Sequence, residues 1–453
     1  MKMSSKRIFD TECIDLDDFG KGLCRVDGKT VFVDNLLPKE KAEIETIYVN
    51  GKLKKTNLIK RLSNSKDRVK PFCKYFHQCG GCSIEHLKYE KQLEYKKNKV
   101  KNLLHKFANI DIEVCDTLGL NPPLYFRNKV QVPVANKNGK MIAGYYKEGS
   151  HDLIRIENCS IESKMANDIV QKTLEVLNKY HVPAYDTDRF TGVVRHVLVK
   201  VSEVYNQALV VLVTATDRIN GINNIVNDLK SSDSRIVSIC QNINTCKTNV
   251  ILGQKTRVLY GTGKIKDGLC GCDFLISTRS FFQTNLKMTE VLYNKALELA
   301  KISKNDIVLD AYCGTGSIGI IAAKYAKEVV GVEVEKSAVL DAINNAKINR
   351  IENISFISMD CTEFIERRVN KKAYDIVIMD PPRAGSTKRF IDVVQKIEPK
   401  RIIYISCDPV TLARDLKEFN KYRIDAVQPV DMFPHSFHVE TIVALSLKTT
   451  KNN

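Results

Sequence analysis

No stretch of this chain stays apolar for long enough to cross a bilayer, so a membrane-spanning helix is excluded at the outset. The first residues, Met1-Lys2-Met3-Ser4-Ser5-Lys6-Arg7, lack the apolar centre of a secretory signal, and a cytoplasmic location is expected. Internal repeats and low-complexity tracts are absent, which argues against solenoids and linker-like chains. Acidic residues are in deficit, 53 against 70 lysines and arginines, leaving a formal charge of +17. Such a surface favours a polyanion, nucleic acid above all, although a solvated lysine-rich surface has the same composition. With 43% hydrophobic and 27% charged residues, the 453-residue chain reads as soluble and globular, too long for one core, with two or three domains. A monomer without an obligate protein partner is expected.

The cysteines are plentiful, 14 in all. In a reduced compartment structural disulfides are rare, so clustered cysteines read as metal ligands or nucleophiles. Cys73, Cys79 and Cys82 fall within ten residues, in a Cys-x5-Cys-Gly-Gly-Cys run, and Cys159 lies far downstream. Together they make a four-thiol metal site. Zinc sites favour repeated Cys-x2-Cys pairs, and only one such unit is present, so an iron–sulfur cluster is preferred, with His77 as a zinc-type alternative ligand. Cys270 and Cys272 read as structural.

Residues 8–62 alternate apolar and polar positions between turns, the pattern of a small β-barrel. Its end is basic, with Lys54, Lys55 and Arg61 among others, which fits an RNA-binding rim or a solvated charge run. A lysine-rich amphipathic helix is expected over 84–107, its apolar side formed by Leu87, Leu93, Val100, Leu103, Leu104 and Phe107. Strand patterns interrupted by one helix, 161–180, follow to about residue 275 and describe an α+β unit.

From about residue 305 strands and helices alternate, which implies a mostly parallel sheet of seven strands with an antiparallel end. Ligands bind outside the carboxyl ends of such strands. The first strand ends at Asp310 and turns through Tyr312-Cys313-Gly314-Thr315-Gly316 into a helix, a loop that places backbone groups beside a nucleotide-like ligand. Gly319 falls where dinucleotide enzymes place a third glycine, so the turn alone does not exclude NAD. The second strand ends at Glu333, a ribose ligand by position, and the third at Asp360. The fourth runs into Asp380-Pro381-Pro382-Arg383, rigid because two prolines fix the backbone. Enzymes that methylate the exocyclic amine of adenine close a similar loop with an aromatic residue. Arg383 takes that place here and argues against such chemistry.

Cys407 ends the apolar run Ile403-Tyr404-Ile405-Ser406 and is followed by Asp408-Pro409, so it stands at a strand end rather than in a core. A lone cysteine is more often a small buried hydrophobe, but this placement makes it a nucleophile. Carbon 5 of a pyrimidine is too weak a nucleophile to take a methyl group directly. A thiolate adding to carbon 6 turns the ring into an enolate, and a base must later take the carbon-5 proton. His435, His438 and Glu440 are the candidate bases, and Glu440 reaches the same sheet edge if the last strand runs antiparallel.

Taken together, these motifs resemble the bacterial 23S ribosomal RNA uracil-5-methyltransferases of the RumA type over nearly the whole length. The N-terminal barrel resembles a TRAM domain, and Cys73, Cys79, Cys82 and Cys159 resemble the family's [4Fe-4S] ligands. Ser280-Phe281-Phe282-Gln283-Thr284-Asn285 resembles its pre-catalytic motif. The resemblance implies S-adenosylmethionine as donor, bound by Gln283, Tyr312, Gly314, Gly316, Glu333, Asp360 and Asp380, with Cys407 as nucleophile and Glu440 as base. Arg127 and Lys129 would meet RNA phosphate, and Asp408 stands where members often carry asparagine. The implied fold is an α/β Rossmann-like catalytic domain (276–453) behind a TRAM/OB-like barrel (1–65) and an α+β central domain with the iron–sulfur site (66–275), residues 88–123 packing on the catalytic domain. Related transfer-RNA enzymes are expected to lack barrel and cluster, which favours 23S rRNA. The alternatives are a tRNA uracil-5-methyltransferase, a catalytically inactive RNA-binding protein, and a redox sensor built on the cluster.

Overall fold

The computed structural model describes residues 4–147, 150, 152–247, 250–369 and 374–448. Six strands open the chain: β1 (Ser4–Glu12), β2 (Asp15–Leu16), β3 (Gly22–Val26), β4 (Lys29–Val33), β5 (Lys41–Val49) and β6 (Lys52–Arg61). They form two three-stranded sheets, β1-β5-β6 and β2-β3-β4. The period-2 pattern turns Cys24, Val26, Val31, Val33, Ala42 and Ile44 onto one small core. Buried Glu40 receives the Arg68 guanidinium, Nε to Oε1 at 2.6 Å and a second nitrogen to Oε2 at 2.7 Å, which moors the unit to the segment that follows.

Helix α1 (Tyr89–Ala108) begins five residues after the start expected at residue 84. The reason is tertiary: the Lys88 N–H, which a helix begun at 84 would give to Ile84, donates to the Asp67 carbonyl at 2.9 Å, and the His86 carbonyl accepts from Val69 N at 2.9 Å. Its apolar stripe, Val100 and Leu104, shares a core with Leu412, Leu416 and Val427 near the C-terminus. Phe107, expected on the apolar side, is 39% exposed.

The middle of the chain contains β7 (Lys129–Lys137), β8 (Lys140–Tyr146), β9 (Leu153–Arg155), α2 (Lys164–Lys179), β10 (Val194–Ser202), β11 (Gln207–Thr214), α3 (Ile222–Ser232), β12 (Ile236–Ile243) and β13 (Lys255–Tyr260). The sheet order is β13-β12-β11-β10-β7-β8-β9. One helix was expected here, and two are present among the described residues. α3 buries only Ile225 and Leu229, too sparse an apolar stripe to stand out in the sequence. A hairpin, β14 (Lys264–Leu269) and β15 (Cys272–Ser277), places Ile265, Phe274 and Ile276 in one core with Leu198 of the middle sheet and Ile320 and Ile378 of the last sheet.

The remaining elements are α4 (Leu286–Ala300), β16 (Ile307–Ala311), α5 (Ser317–Ala323), β17 (Glu328–Glu333), α6 (Lys336–Ile348), β18 (Ile354–Ser358), α7 (Cys361–Glu366), β19 (Ile376–Met379), α8 (Lys388–Ile397), β20 (Arg401–Ser406), α9 (Pro409–Leu416), β21 (Tyr422–Val430) and β22 (Glu440–Leu447). The sheet order is β18-β17-β16-β19-β20-β22-β21. Helices cover both faces, so strands such as β19 are buried along their length and read as unbroken apolar runs. The antiparallel strand expected at the end is β22, but it does not form the edge. It inserts between β20 and β21 and pairs antiparallel with both.

Candidate active site

The carboxyl ends of β16, β17, β19 and β20 open on a cavity of about 970 Å³. Its lining includes Gln283, Tyr312, Gly314, Glu333, Asp360, Asp380, Cys407 and Glu440. Each arrives by a local rule. Glu333 is the last residue of β17 and accepts the Gly314 N–H at 3.1 Å through Oε2, joining two strand ends. Asp360 caps α7, its Oδ1 accepting from Thr362 N at 2.9 Å and Glu363 N at 3.1 Å. Asp408 caps α9 in the same way, a task an asparagine could also perform. Asn285 caps α4 and donates to the Met432 carbonyl at 3.0 Å, seating the Gln283 segment against the 431–439 loop.

Gly316 is the exception among the expected site residues. It does not line the cavity, and its left-handed φ of +77° opens helix α5. Its requirement is conformational. Gly314, by contrast, borders the cavity, and an added Cβ there would meet no protein atom within 4 Å. The space beside it, rimmed by the Glu333 and Asp360 carboxylates, suits a nucleoside-sized ligand.

Cys407 and Glu440 meet through strand direction. The β20–β22 register pairs Ser406 with Thr441, so the next step along each chain brings Cys407 and Glu440 to the same edge. Adjacent strands lie about 5 Å apart, within reach of one pyrimidine ring. Burial pushes Glu440 up to about 8, helped by the Asp380 charge, and pushes Asp380 up to about 7. Burial also raises the Cys407 thiol to about 12, with Glu440 and Asp380 adding to the rise and Arg383 opposing it. Asp310, fully buried beneath the turn, is held well above the usual carboxylate range by burial and then by Asp380.

The two candidate histidines part company. His438 lines the cavity, and burial with nearby Arg383 lowers it to about 4, so it is neutral at pH 7. His435 is 4% exposed and is not part of the lining. Its ring nitrogens meet Gln92 and the Pro123 carbonyl, which removes it as a candidate base. Arg127 reaches the cavity, whereas Lys129 packs beside Lys200 and Phe282, away from that space. Tyr293 and Ser317, joined by a hydroxyl contact of 3.0 Å, also line the cavity, and no sequence motif marked them.

Cys73, Cys79, Cys82 and Cys159 line a second cavity of about 180 Å³ with Tyr145 and Glu162. Gly81, Arg127 and Ile161 border both cavities. Burial raises the thiols, Cys82 well above its ordinary value and Cys159 to about 12, and each thiolate would repel the others. Four desolvated thiols around one space suit a group that stabilises thiolates. Among the described residues no three His, Cys, Asp or Glu side chains are arranged to hold a metal ion. His77 stacks edge-on against Phe76 and does not line this cavity.

A family profile described as tRNA (Uracil-5-)-methyltransferase matches residues 88–448. A protein of Oceanobacillus iheyensis named as an uncharacterised RNA methyltransferase is 40% identical over 440 residues, 96% of this chain and 95% of its own. One of the same description from Clostridium tetani is 39% identical over 431 residues, 94% of each chain. The solved tRNA (uracil-54, C5)-methyltransferase of Pyrococcus abyssi, in complex with S-adenosyl-L-homocysteine, matches with a TM-score of 0.76 at 27% identity, over 96% of this chain and 99% of that one. With its strand-end cavity, this chain belongs to the family of S-adenosylmethionine-dependent RNA uracil-5-methyltransferases.

Proposed function

We propose that the protein methylates carbon 5 of a uridine in 23S ribosomal RNA. The observation that carries the chemistry is the meeting of Cys407 and Glu440 at one strand edge inside the donor-sized cavity. The Cys407 thiol gives its proton to solvent, its sulfur bonds to carbon 6, and the carbon-5–carbon-6 double-bond electrons move toward the carbon-4 oxygen. S-adenosylmethionine supplies the methyl group that carbon 5 then takes, its methyl–sulfur bond breaking to leave S-adenosylhomocysteine. The Glu440 carboxylate removes the carbon-5 proton, those electrons restore the ring double bond, and the carbon–sulfur bond breaks. A base near pH 8 is matched to this step, strong enough to take the proton and weak enough to return it to water. Glu333 and Asp360 hold the donor's ribose side, Gly314 gives it backbone access, and Gln283, Tyr312 and Asp380 complete its pocket, while Gly316 shapes the turn.

Cys73, Cys79, Cys82 and Cys159 would hold a [4Fe-4S] cluster, whose iron would stabilise the four thiolates. The six-stranded N-terminal unit serves as a TRAM-like RNA-binding barrel, residues 1–65, ahead of a central domain 66–275 and a catalytic domain 276–453. The ribosomal target rests on the resemblance of the cysteine run. The barrel does not discriminate, because the Pyrococcus tRNA enzyme is matched over 96% of this chain. That likeness favours a second reading, a tRNA target.

The test supplies 23S rRNA fragments and tRNA transcripts with a labelled methyl donor, followed by nucleoside digestion. Labelled 5-methyluridine from 23S rRNA that disappears in Cys407→Ala is the expected result. Label confined to tRNA would select the second reading, and no labelled 5-methyluridine from either RNA would sink both.

A further inference from the structure

The loop between β21 and β22 carries one set of residues into the catalytic cavity and another away from it. Phe433, Pro434, Ser436 and His438 line the cavity. Asp431, His435 and Phe437 bond instead to α1 and to the residues just after Cys82. The Asp431 carboxylate takes Lys96 Nζ at 2.5 Å and the Tyr89 hydroxyl at 2.8 Å. Lys96 Nζ also donates to the Phe433 carbonyl at 3.1 Å, and Lys99 Nζ to the Phe437 carbonyl at 3.0 Å.

His435 is the centre of this arrangement. Its backbone N–H donates to Gln92 Oε1 at 3.0 Å, and its carbonyl accepts from Ser83 N at 2.9 Å and Ile84 N at 3.0 Å. Its Nε2 lies 2.9 Å from the Pro123 carbonyl, which can only accept, so Nε2 carries the proton. Nδ1 is then the acceptor for Gln92 Nε2 at 3.3 Å. Every polar group of this residue is engaged, and its φ is +68°, in the left-handed region. A non-glycine residue stays there only when its surroundings over-determine it.

We infer that His435 is a positioning residue: it joins α1, the cysteine-bearing segment and the 431–439 loop into one unit, and so sets where the Glu440 carboxylate stands when the carbon-5 proton leaves. This rests on the uracil-5 chemistry proposed above. Glu440 opens β22, so ladder pairing holds it on one side and this loop on the other. The strand-end carboxylates Glu333, Asp360 and Asp380 belong to other elements, and Cys407 directly follows β20. The Asn285–Met432 bond that seats the Gln283 segment is separate from the His435 contacts, so loosening the loop at His435 acts first on proton removal, before donor binding or sulfur attack.

The test is His435→Asn, which tolerates the left-handed backbone but shortens the ring's reach. Three quantities are measured: donor affinity by calorimetry, the rate of covalent capture of 5-fluorouridine RNA, and the release of methylated RNA from ordinary substrate. Affinity and capture should match the wild type, while release slows by about tenfold to a hundredfold, the cost of a misplacement near 1 Å. A methylated protein–RNA adduct should accumulate. Gln92→Met removes both Gln92 contacts to His435 from the helix side and is read by the same measurements, in place of His435→Asn if that variant does not fold. Release at the wild-type rate in the folded variants, or capture and release slowed by one common factor, would overturn the inference. Failure of the wild type itself to form a Cys407 adduct would instead overturn the uracil-5 reading.

Discussion

Cys407 and Glu440 make opposite demands on one small volume. Burial favours the neutral form of each, and the Glu440 and Asp380 charges raise the Cys407 pKa further. A protonated Glu440 lowers the cost of the Cys407 thiolate, and the later proton removal requires Glu440 to be ionised. Release of product should therefore rise with pH through about 8 and level off above it. Glu440→Gln should abolish that rise and leave a methylated, denaturation-resistant adduct, visible as a shifted band in a denaturing gel. Cys407→Ala should lower methylation by about a thousandfold or more and form no adduct, even with 5-fluorouridine RNA. The same shift affects stability. A carboxyl raised from 4.5 to about 8 keeps its proton in the folded state where the unfolded chain has lost it. Its contribution to stability falls as pH climbs across that window. The melting temperature of Glu440→Gln, measured from pH 5 to 8, should therefore decline less than that of the wild type. An identical decline in both would refute the assignment.

Helix α1 shows how an element can look like one thing in sequence and act as another. Its lysines read as a solvated face, yet Lys96 is fully buried against Asp431, and Tyr89, Gln92, Lys96 and Lys99 form one polar stripe toward the 431–439 loop. Their spacing of three, four and three residues was visible, and with apolar side chains it would have read as a core stripe. Lys96→Met should leave the Asp431 carboxylate buried without its cation, with only the Tyr89 hydroxyl beside it, at a cost of about 3–5 kcal/mol in calorimetric stability. Adding Asp431→Leu should recover most of that loss. An unchanged melting temperature in the single variant would contradict the buried pair. In β6, Lys54 and Lys55 border a groove with Phe19, Phe32 and Leu53, whereas Arg61 turns toward buried Glu40. Reversing Lys54 and Lys55 to glutamate should weaken RNA binding and leave donor affinity unchanged, as read by filter binding and calorimetry.

At the scale of the whole molecule, two cores pack on the opposite faces of the last sheet. The β14–β15 hairpin joins the middle and last sheets, and α1 binds the last sheet from its other face. With a charge of +17, RNA affinity should fall steeply as salt rises, and a flat salt response would contradict a phosphate-tracking surface. Protein purified without oxygen should carry about four irons per chain, by elemental analysis and visible absorbance, and Cys79→Ser should lose them. Stoichiometric zinc in place of iron would overturn the cluster assignment.

The amino-acid sequence by itself determined the central strands of the last sheet, because strands buried on both faces are apolar runs, and so it marked the strand ends at Asp310, Glu333, Asp380 and Cys407. It also marked the four cysteines that line the second cavity. Tertiary structure alone decided the position of β22 between β20 and β21, and with it the meeting of Glu440 and Cys407. The same holds for α3, for the later start of α1, for the roles of Tyr293 and Ser317, and for His435, whose partners come from three separate segments. Local periodicity records only whether a side chain is covered. Which polar group covers another, as with Lys96 and Asp431 at 335 positions' separation, is settled only when distant segments pack and each buried donor must find an acceptor.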